Sequence, residues 1–263
     1  MDEYYGAIRG FPCAQAEAEV EAWGCLEAKG PLERIFYKHS DLKPDELIVE
    51  LLYTGLCHSD HYKLHALWDP AEYSPWPMIA GHEVIGKVLK IGSEVAHFMP
   101  GDIVGATPHR DCCGFCANCK RGDDNLCMGD KNEVMYDPYF GAYATQVKLS
   151  QAWTFKIPDG MDLKRLAPIM CAGLTCFAPL RNFGKVGWRC AVVGVGGLGH
   201  MGVQFASKMG MEVTAVSTSA DKAELCTELG AHHFLNMSDT KDAQAFSRAG
   251  FDLILNTGLA HNL

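Results

Sequence analysis

The run Gly194-Val195-Gly196-Gly197-Leu198-Gly199 follows directly on the apolar stretch Ala191-Val192-Val193 and opens a segment with helical character that reaches about Met209. A glycine turn in that setting restricts the fold, because it belongs to a strand that passes straight into a helix. The alternation continues with strand Val213-Thr214-Ala215-Val216, a second helix over about 220–229, Phe234-Leu235, and strand Phe251-Asp252-Leu253-Ile254-Leu255. Gly210 and Gly230 stand where helices end on a left-handed residue. Strands alternating with helices of about ten residues predict a doubly wound parallel sheet. In the turn, Gly196 lets the backbone approach a pyrophosphate and Gly199 lets helix and strand pack closely. The helix N-terminus adds N–H groups and a positive dipole. Gly194, Gly196, Gly197, Leu198 and Gly199 are therefore candidate cofactor-binding residues.

Before residue 172 the character differs. Short apolar or alternating runs such as Glu46-Leu47-Ile48-Val49-Glu50-Leu51-Leu52, Val84 to Ile91 and Asp102-Ile103-Val104-Gly105 are bounded by Gly, Pro and Asp. This predicts a β-rich domain over residues 1–172, followed by the nucleotide-binding α/β domain over 173–263.

Cysteine use sharpens the picture. Of twelve cysteines, five crowd between Cys112 and Cys127. Cys113, Cys116, Cys119 and Cys127 have a C-x2-C-x2-C-x7-C spacing, which closes a tetrahedral thiolate shell around Zn²⁺ and leaves no position for substrate. Such a site is structural, and Cys112 is the odd one out. Cys13, Cys25, Cys176, Cys190 and Cys226 stand singly in apolar surroundings and are expected to be small buried hydrophobes. The start of the chain is acidic, with neither a basic nor an apolar run, which argues against a secretory or transit leader and for a cytoplasmic location. No run is long and apolar enough for a membrane helix. A formal charge of −9 makes nucleic acid an unlikely partner; a small molecule is expected instead.

A second candidate set is dispersed, and each member taken alone is more often a packed core residue: Cys57 in Gly55-Leu56-Cys57-His58-Ser59-Asp60, then Gly81-His82-Glu83, then Cys171. Two Cys and one His form a recognised three-ligand set that leaves a fourth position open for catalysis. The strand after the glycine turn ends in Ser217-Thr218-Ser219, with Lys222 close behind. An NAD site usually ends that strand in an acid that holds the ribose hydroxyls. Here hydroxyls and a Lys suit the 2′-phosphate of NADP(H) instead; the alternative is that Ser217 caps the following helix.

These constellations, in this order, resemble the zinc-dependent medium-chain alcohol dehydrogenases, and in particular the cinnamyl-alcohol-dehydrogenase-like branch. The segments Ala167 to Thr175 and Gly197 to Val203 read like that branch, and the resemblance runs from about residue 23 to the last residue. It implies an α/β chain with a GroES-like β-rich catalytic domain and an incomplete Rossmann domain. Two zinc ions per chain are expected, one catalytic on Cys57, His82 and Cys171 and one structural. Glu83 would lie beside the catalytic ion, Asp60 would orient His82, and Ser59 would relay the alcohol proton. Thr175 joins the cofactor residues, Trp68 matches an aromatic of the substrate pocket, and the family forms homodimers.

Three departures stand out. Where the family usually has a His ending the proton relay, this chain has Tyr62, with His61 and His65 nearby, so the end of the relay stays open. The stretch from Trp68 to Gly81 is slightly long, with Ala80 before Gly81-His82-Glu83 in place of Pro. Family members also continue beyond the position of Leu263, through further Rossmann strands and a segment that returns to the catalytic domain. The implied activity is interconversion of alcohols and aldehydes with NADP(H), with turnover by this chain itself left open. The alternatives are an NAD-dependent polyol dehydrogenase, which usually has Glu at the position of Cys171, and a zinc- and nucleotide-binding protein without turnover.

Overall fold

Alternating apolar residues need a second layer to cover them, and the computed structural model shows how each half of the chain finds one. It describes residues 11–68, 76–129, 133–135 and 140–258, in two units comprising residues 1–171 and 172–263.

The first unit carries β1 (Phe11–Pro12), β2 (Val20–Gly24), β3 (Glu33–Lys38), β4 (Glu46–Thr54), the short helix α1 (His58–Leu64), β5 (Val84–Ile91), β6 (Ile103–Ala106), β7 (His109–Asp111), β8 (Glu133–Val134), β9 (Gln146–Ser150) and β10 (Thr154–Lys156). A five-stranded antiparallel sheet in the order β10-β6-β5-β4-β9 is its centre; β1-β3-β2 form a second sheet, and β7 pairs with β8. Leu47, Val49, Val84, Val88, Val104, Ala106, Val147 and Leu149 fill the main core. Sequence reading found β4, β5 and β6 to within a residue or two. It missed β2, β3, β9 and β10, whose patterns mix charged and apolar residues.

One polar cluster lies within this apolar unit. Glu46, at the start of β4, receives Arg110 Nη2 at 3.1 Å and lies 3.5 Å from Lys148 Nζ, with all three side chains buried. Arg110 also donates to the Lys148 carbonyl, and Lys148 Nζ donates to Ser40 Oγ at 2.5 Å. The cluster ties β7, which leads into the cysteine-rich loop, to β4 and β9. Burial alone would raise the Glu46 pKa, but Arg110, Lys148 and the Lys43 N–H hold it below the ordinary carboxylate range.

The second unit runs α2 (Ala172–Phe183), β11 (Arg189–Val193), α3 (Gly199–Lys208), β12 (Glu212–Ser217), α4 (Ala223–Glu228), β13 (His233–Asn236), α5 (Thr240–Arg248) and β14 (Leu253–Asn256). Its four strands are all parallel, in the order β13-β12-β11-β14. The chain winds to one side of β11 and then crosses to the other, so the glycine turn after β11 stands at the switch point of the sheet. Cys190, Val192, Val203, Ala206, Val213, Ala215 and Cys226 form the core.

The structure refines one expected helix, adds another and corrects one cysteine. The helix placed at 220–229 is a 3-10 turn over Ala220–Lys222 followed by α4. The helix α5 was not expected, although Asp239 caps it by accepting from the N–H groups of Lys241 and Asp242. Of the five lone cysteines, Cys25, Cys176, Cys190 and Cys226 are buried, but Cys13 is only half-buried. No helix among the described residues is long and apolar enough to cross a membrane.

Replacing Glu46 with Gln leaves the two buried cations without their shared carboxylate. We expect a loss of about 3 kcal/mol, the scale for breaking a buried pair, read from urea unfolding at pH 7. Because the folded pKa of Glu46 is depressed, its contribution is complete above the unfolded value of about 4.3. It is lost as pH falls through the lower folded value. The wild-type and E46Q stability curves should therefore converge at the acid end, and parallel curves would contradict this account.

Candidate active site and metal centres

The register of the central sheet assembles the first cluster. β4 pairs with β5 so that Thr54 faces Val84. Cys57, just beyond the end of β4, and His82, just before the start of β5, are therefore brought together. Cys171 arrives from the turn Ala167–Met170, which is packed against the sheet by Ile85, Leu166 and Ala167. Gly105 of β6 makes room for that turn, since a Cβ there would stand 2.8 Å from Met170 Sδ. Donor atoms of Cys57, His82, Glu83 and Cys171 all lie within 4.8 Å of one another, with His82 and Glu83 buried.

Asp60 holds this group in place. Its buried carboxylate accepts from the Cys57 N–H at 3.1 Å and the Gly81 N–H at 2.8 Å. It also binds His82 Nδ1 at 2.9 Å and accepts from the Tyr143 hydroxyl at 2.7 Å. With Nδ1 engaged, Nε2 is the ring atom turned to the cluster. Burial opposes charge on both partners, yet their bond keeps the Asp60 pKa low. The bonds to Asp60 and Cys57 lift His82 to about 9. Among the thiols, the Cys171 hydrogen bond draws the Cys57 pKa down and the same bond drives Cys171 up; His82 and Ser59 also bond to Cys57.

Glu83 is the anomaly. Its Oε2 is buried without a hydrogen-bond partner among the described residues, and burial pushes its carboxyl up to about 7. The carboxylate occupies the space over Gly55, where an added Cβ would overlap Oε2. A divalent cation fits this donor set: two thiols, an imidazole oriented through Nδ1 and an orphaned carboxylate oxygen all converge on one point.

The second cluster is local. Cys113, Cys116, Cys119 and Cys127 bring their sulfurs within 4.8 Å of one another. Backbone N–H groups already point at the sulfurs: Cys116 N–H donates to Cys113 Sγ, while Cys113 and Gly129 N–H donate to Cys127 Sγ, each at 3.3 Å. N–H groups of Cys119 and Met128 hold the Cys116 thiol below its ordinary range, while burial and the bond to Cys116 drive the Cys119 thiol up. Gly129 fits close against the cluster, as a Cβ there would stand 2.8 Å from Cys113 Sγ. Phe115, Leu126 and Met128 of this loop are exposed, so the loop has little core of its own.

In the second unit, Gly194 adopts φ +86°, and a Cβ at Gly199 would overlap the Gly194 carbonyl oxygen. A Cβ at Gly196 or Gly197 would meet nothing within 4 Å, so open space lies over the turn. No side chain caps α3 at Leu198, and the N–H groups of His200 and Met201 donate to the Gly196 and Leu198 carbonyls, which closes the turn onto the helix. Lys222 Nζ donates to the Val195 carbonyl at 2.8 Å, which holds the ammonium at this turn. Ser217 Oγ accepts from the Ser219 N–H at 3.1 Å, while the cap position before the next turn belongs to Ser219, without a side-chain bond. Thr175 lies exposed on α2.

Around α1, Tyr62 stacks on Trp68 at 5.3 Å and contacts His58, while His61 pairs with His65 at 4.1 Å. Two functional residues escaped sequence reading, Tyr143 and Gly55. Gly55 lies within the quoted motif, but Tyr143 carries no local signal. It is 83 residues from Asp60 along the chain.

Comparison with known proteins agrees with this geometry. Residues 43–159 match the alcohol dehydrogenase GroES-like domain, and residues 197–261 match the zinc-binding dehydrogenase family. Cinnamyl alcohol dehydrogenase 2 of Oryza sativa is 37% identical over 94% of this chain and 69% of its own length. Aldehyde reductase AdhA of Synechocystis is 36% identical over 90% of this chain and 69% of its own length. A solved cinnamyl alcohol dehydrogenase of Sorghum bicolor superposes with a TM-score of 0.82 at 31% identity, covering 92% of this chain and 70% of that one. The chain belongs to the zinc-dependent medium-chain alcohol dehydrogenase superfamily, with a GroES-like β-rich domain and a Rossmann-type parallel sheet.

The Gly55 contact makes a prediction. Gly55→Ala should displace the Glu83 carboxylate and destabilise the protein by about 1–3 kcal/mol, the range for overpacking. Adding Glu83→Ala empties the space and should restore most of that loss. Thermal unfolding of wild type, both single variants and the double variant measures the coupling. Additive effects would show that the two residues do not share the space.

Proposed function

We propose that the protein interconverts alcohols and aldehydes with NADP(H), in the manner of the cinnamyl-alcohol-dehydrogenase-like branch. The observation that carries this reading is the Cys57–His82–Cys171 group, a three-ligand set with a carboxylate beside it in place of a fourth thiol. Zinc bound there supplies Lewis-acid polarisation of an alcohol or carbonyl oxygen, and NADP(H) carries the hydride.

The chain's own residues do the rest. Asp60 fixes the His82 ring so that the same nitrogen always faces the cluster. The Ser59 hydroxyl, beside Cys57, takes the proton from an alcohol and returns it to the product of aldehyde reduction. Glu83 tunes the charge beside the ligands, and Trp68 forms part of the pocket rim. Cys113, Cys116, Cys119 and Cys127 hold a structural zinc. Gly194 to Gly199 receive the pyrophosphate, and Thr175 serves the same cofactor. Ser217, Thr218, Ser219 and Lys222 receive the 2′-phosphate. An ammonium held at the phosphate turn, with no acid at the end of β12, supports that cofactor choice.

Oxidation of NADPH by aromatic and aliphatic aldehydes, with metal analysis of the same sample, tests the reading. Two zinc ions per chain are expected, the Cys57–His82–Cys171 ion leaving first under a chelator because its shell is open. Tight NADPH binding without turnover would favour a binding protein instead. Ser217→Asp should weaken NADPH and favour NADH by about 1–3 kcal/mol, the scale of a mispaired charged contact. Binding titrations that find NADH already as tight as NADPH in the unaltered protein would refute the reading of this strand.

A further inference from the structure

One cysteine of the metal loop has no place in the four-thiol set. Cys112 follows β7 directly, and its N–H donates to Asp111 Oδ1 at 2.8 Å. Its Sγ lies within 4.8 Å of Cys119 Sγ and of a carboxylate oxygen of Asp124. Cys119 Sγ in turn stands 3.5 Å from Cys116 Sγ and 3.9 Å from Cys113 Sγ. Cys119 is therefore the sulfur shared between the metal cluster and Cys112.

Both sulfurs belong to half-exposed residues, whereas Cys127 is buried. A small oxidant reaches Cys112 without opening the core, and side-chain rotation in a loop can bring two such sulfurs to the bonded distance of about 2.05 Å. Phe115, Leu126 and Met128 are already exposed, so little apolar packing resists that movement.

We propose that Cys112 is an oxidation site that releases the structural metal by forming a disulfide with Cys119. The inference rests on the assignment of Cys113, Cys116, Cys119 and Cys127 as zinc ligands. The oxidant is a hydroperoxide, with hydrogen peroxide as the simplest. In the first step the Cys112 sulfur attacks a peroxide oxygen: the S–O bond forms, the O–O bond breaks, and water leaves with the thiol proton. Cys112 becomes a sulfenic acid, having given two electrons to the peroxide. In the second step the Cys119 thiolate attacks the Cys112 sulfur; the S–S bond forms, the S–O bond breaks and hydroxide leaves. One peroxide is consumed, and one disulfide, one water and one hydroxide result. The ion loses one of four thiolates and gains an open position, so it dissociates. A thiol reductant and zinc restore the starting state.

The test uses the zinc-loaded full chain, wild type and Cys112→Ser, each treated with one equivalent of hydrogen peroxide. Zinc release is followed with a metallochromic dye, and disulfides are mapped by mass spectrometry of unreduced peptides. Wild type should yield a Cys112–Cys119 linked peptide and about one equivalent of zinc, while release from C112S slows by at least about tenfold. Release at the wild-type rate from C112S, or release without that linked peptide, would overturn the proposal. The zinc content of untreated protein is measured first. A loop already without zinc would strike at the ligand assignment, and at the metal release that depends on it, before any peroxide is added.

Discussion

Everything in the first unit that bears on chemistry depends on one buried carboxylate. Asp60 accepts hydrogen bonds at Cys57, Gly81, His82 and Tyr143, and so ties together the start of α1, the entry to β5 and the segment before β9. A buried carboxylate is costly unless it is fully hydrogen-bonded, and these four bonds meet that requirement. The consequence is positional. The two ligand-bearing segments are fixed to one another through backbone N–H groups, which have less freedom than side chains, before any ion is present.

The two thiol-rich clusters achieve their charge balance differently. The Cys57 site joins two half-buried thiols, hydrogen-bonded to each other, to a buried carboxyl and a buried imidazole whose pKa values are both raised. In the cysteine-rich loop, backbone N–H groups carry much of the work by donating to sulfur, and the thiols are half-buried apart from the buried Cys127. A three-ligand set would leave one position for chemistry, and four thiolates would leave none.

Legibility in the sequence followed the distance over which each feature acts. The cysteine loop and the glycine turn were readable because every participant lies within one short stretch, and the spacing itself encodes the geometry. The dispersed set Cys57, His82 and Cys171 took its weight from family resemblance, since the meeting of these residues depends on the Thr54–Val84 register and on a turn packed against the sheet. Neither leaves a local pattern. Tyr143 was illegible because its partner is far along the chain, and the role of Gly55 because the room it leaves for the Glu83 carboxylate has no sequence signature. Helix α5 was missed for a different reason: it is polar on average and has no fully buried residue, so its few apolar side chains, Phe246 among them, do not stand out as a core stripe.

The contrast between local and dispersed ligands also bears on the order in which the protein matures. The loop sulfurs lie between Cys113 and Cys127, so a nascent or unfolded chain can gather them around an ion with little loop-closure entropy. The other set spans Cys57 to Cys171 and waits on the pairing of β4 with β5 and on the seating of the turn that Gly105 admits. Pairings distant in sequence form slowly, and an ion that needs them is coupled to completed folding. A metal taken by the loop would need little of the fold in place, whereas occupancy of the Cys57 site would report that the surrounding domain is finished.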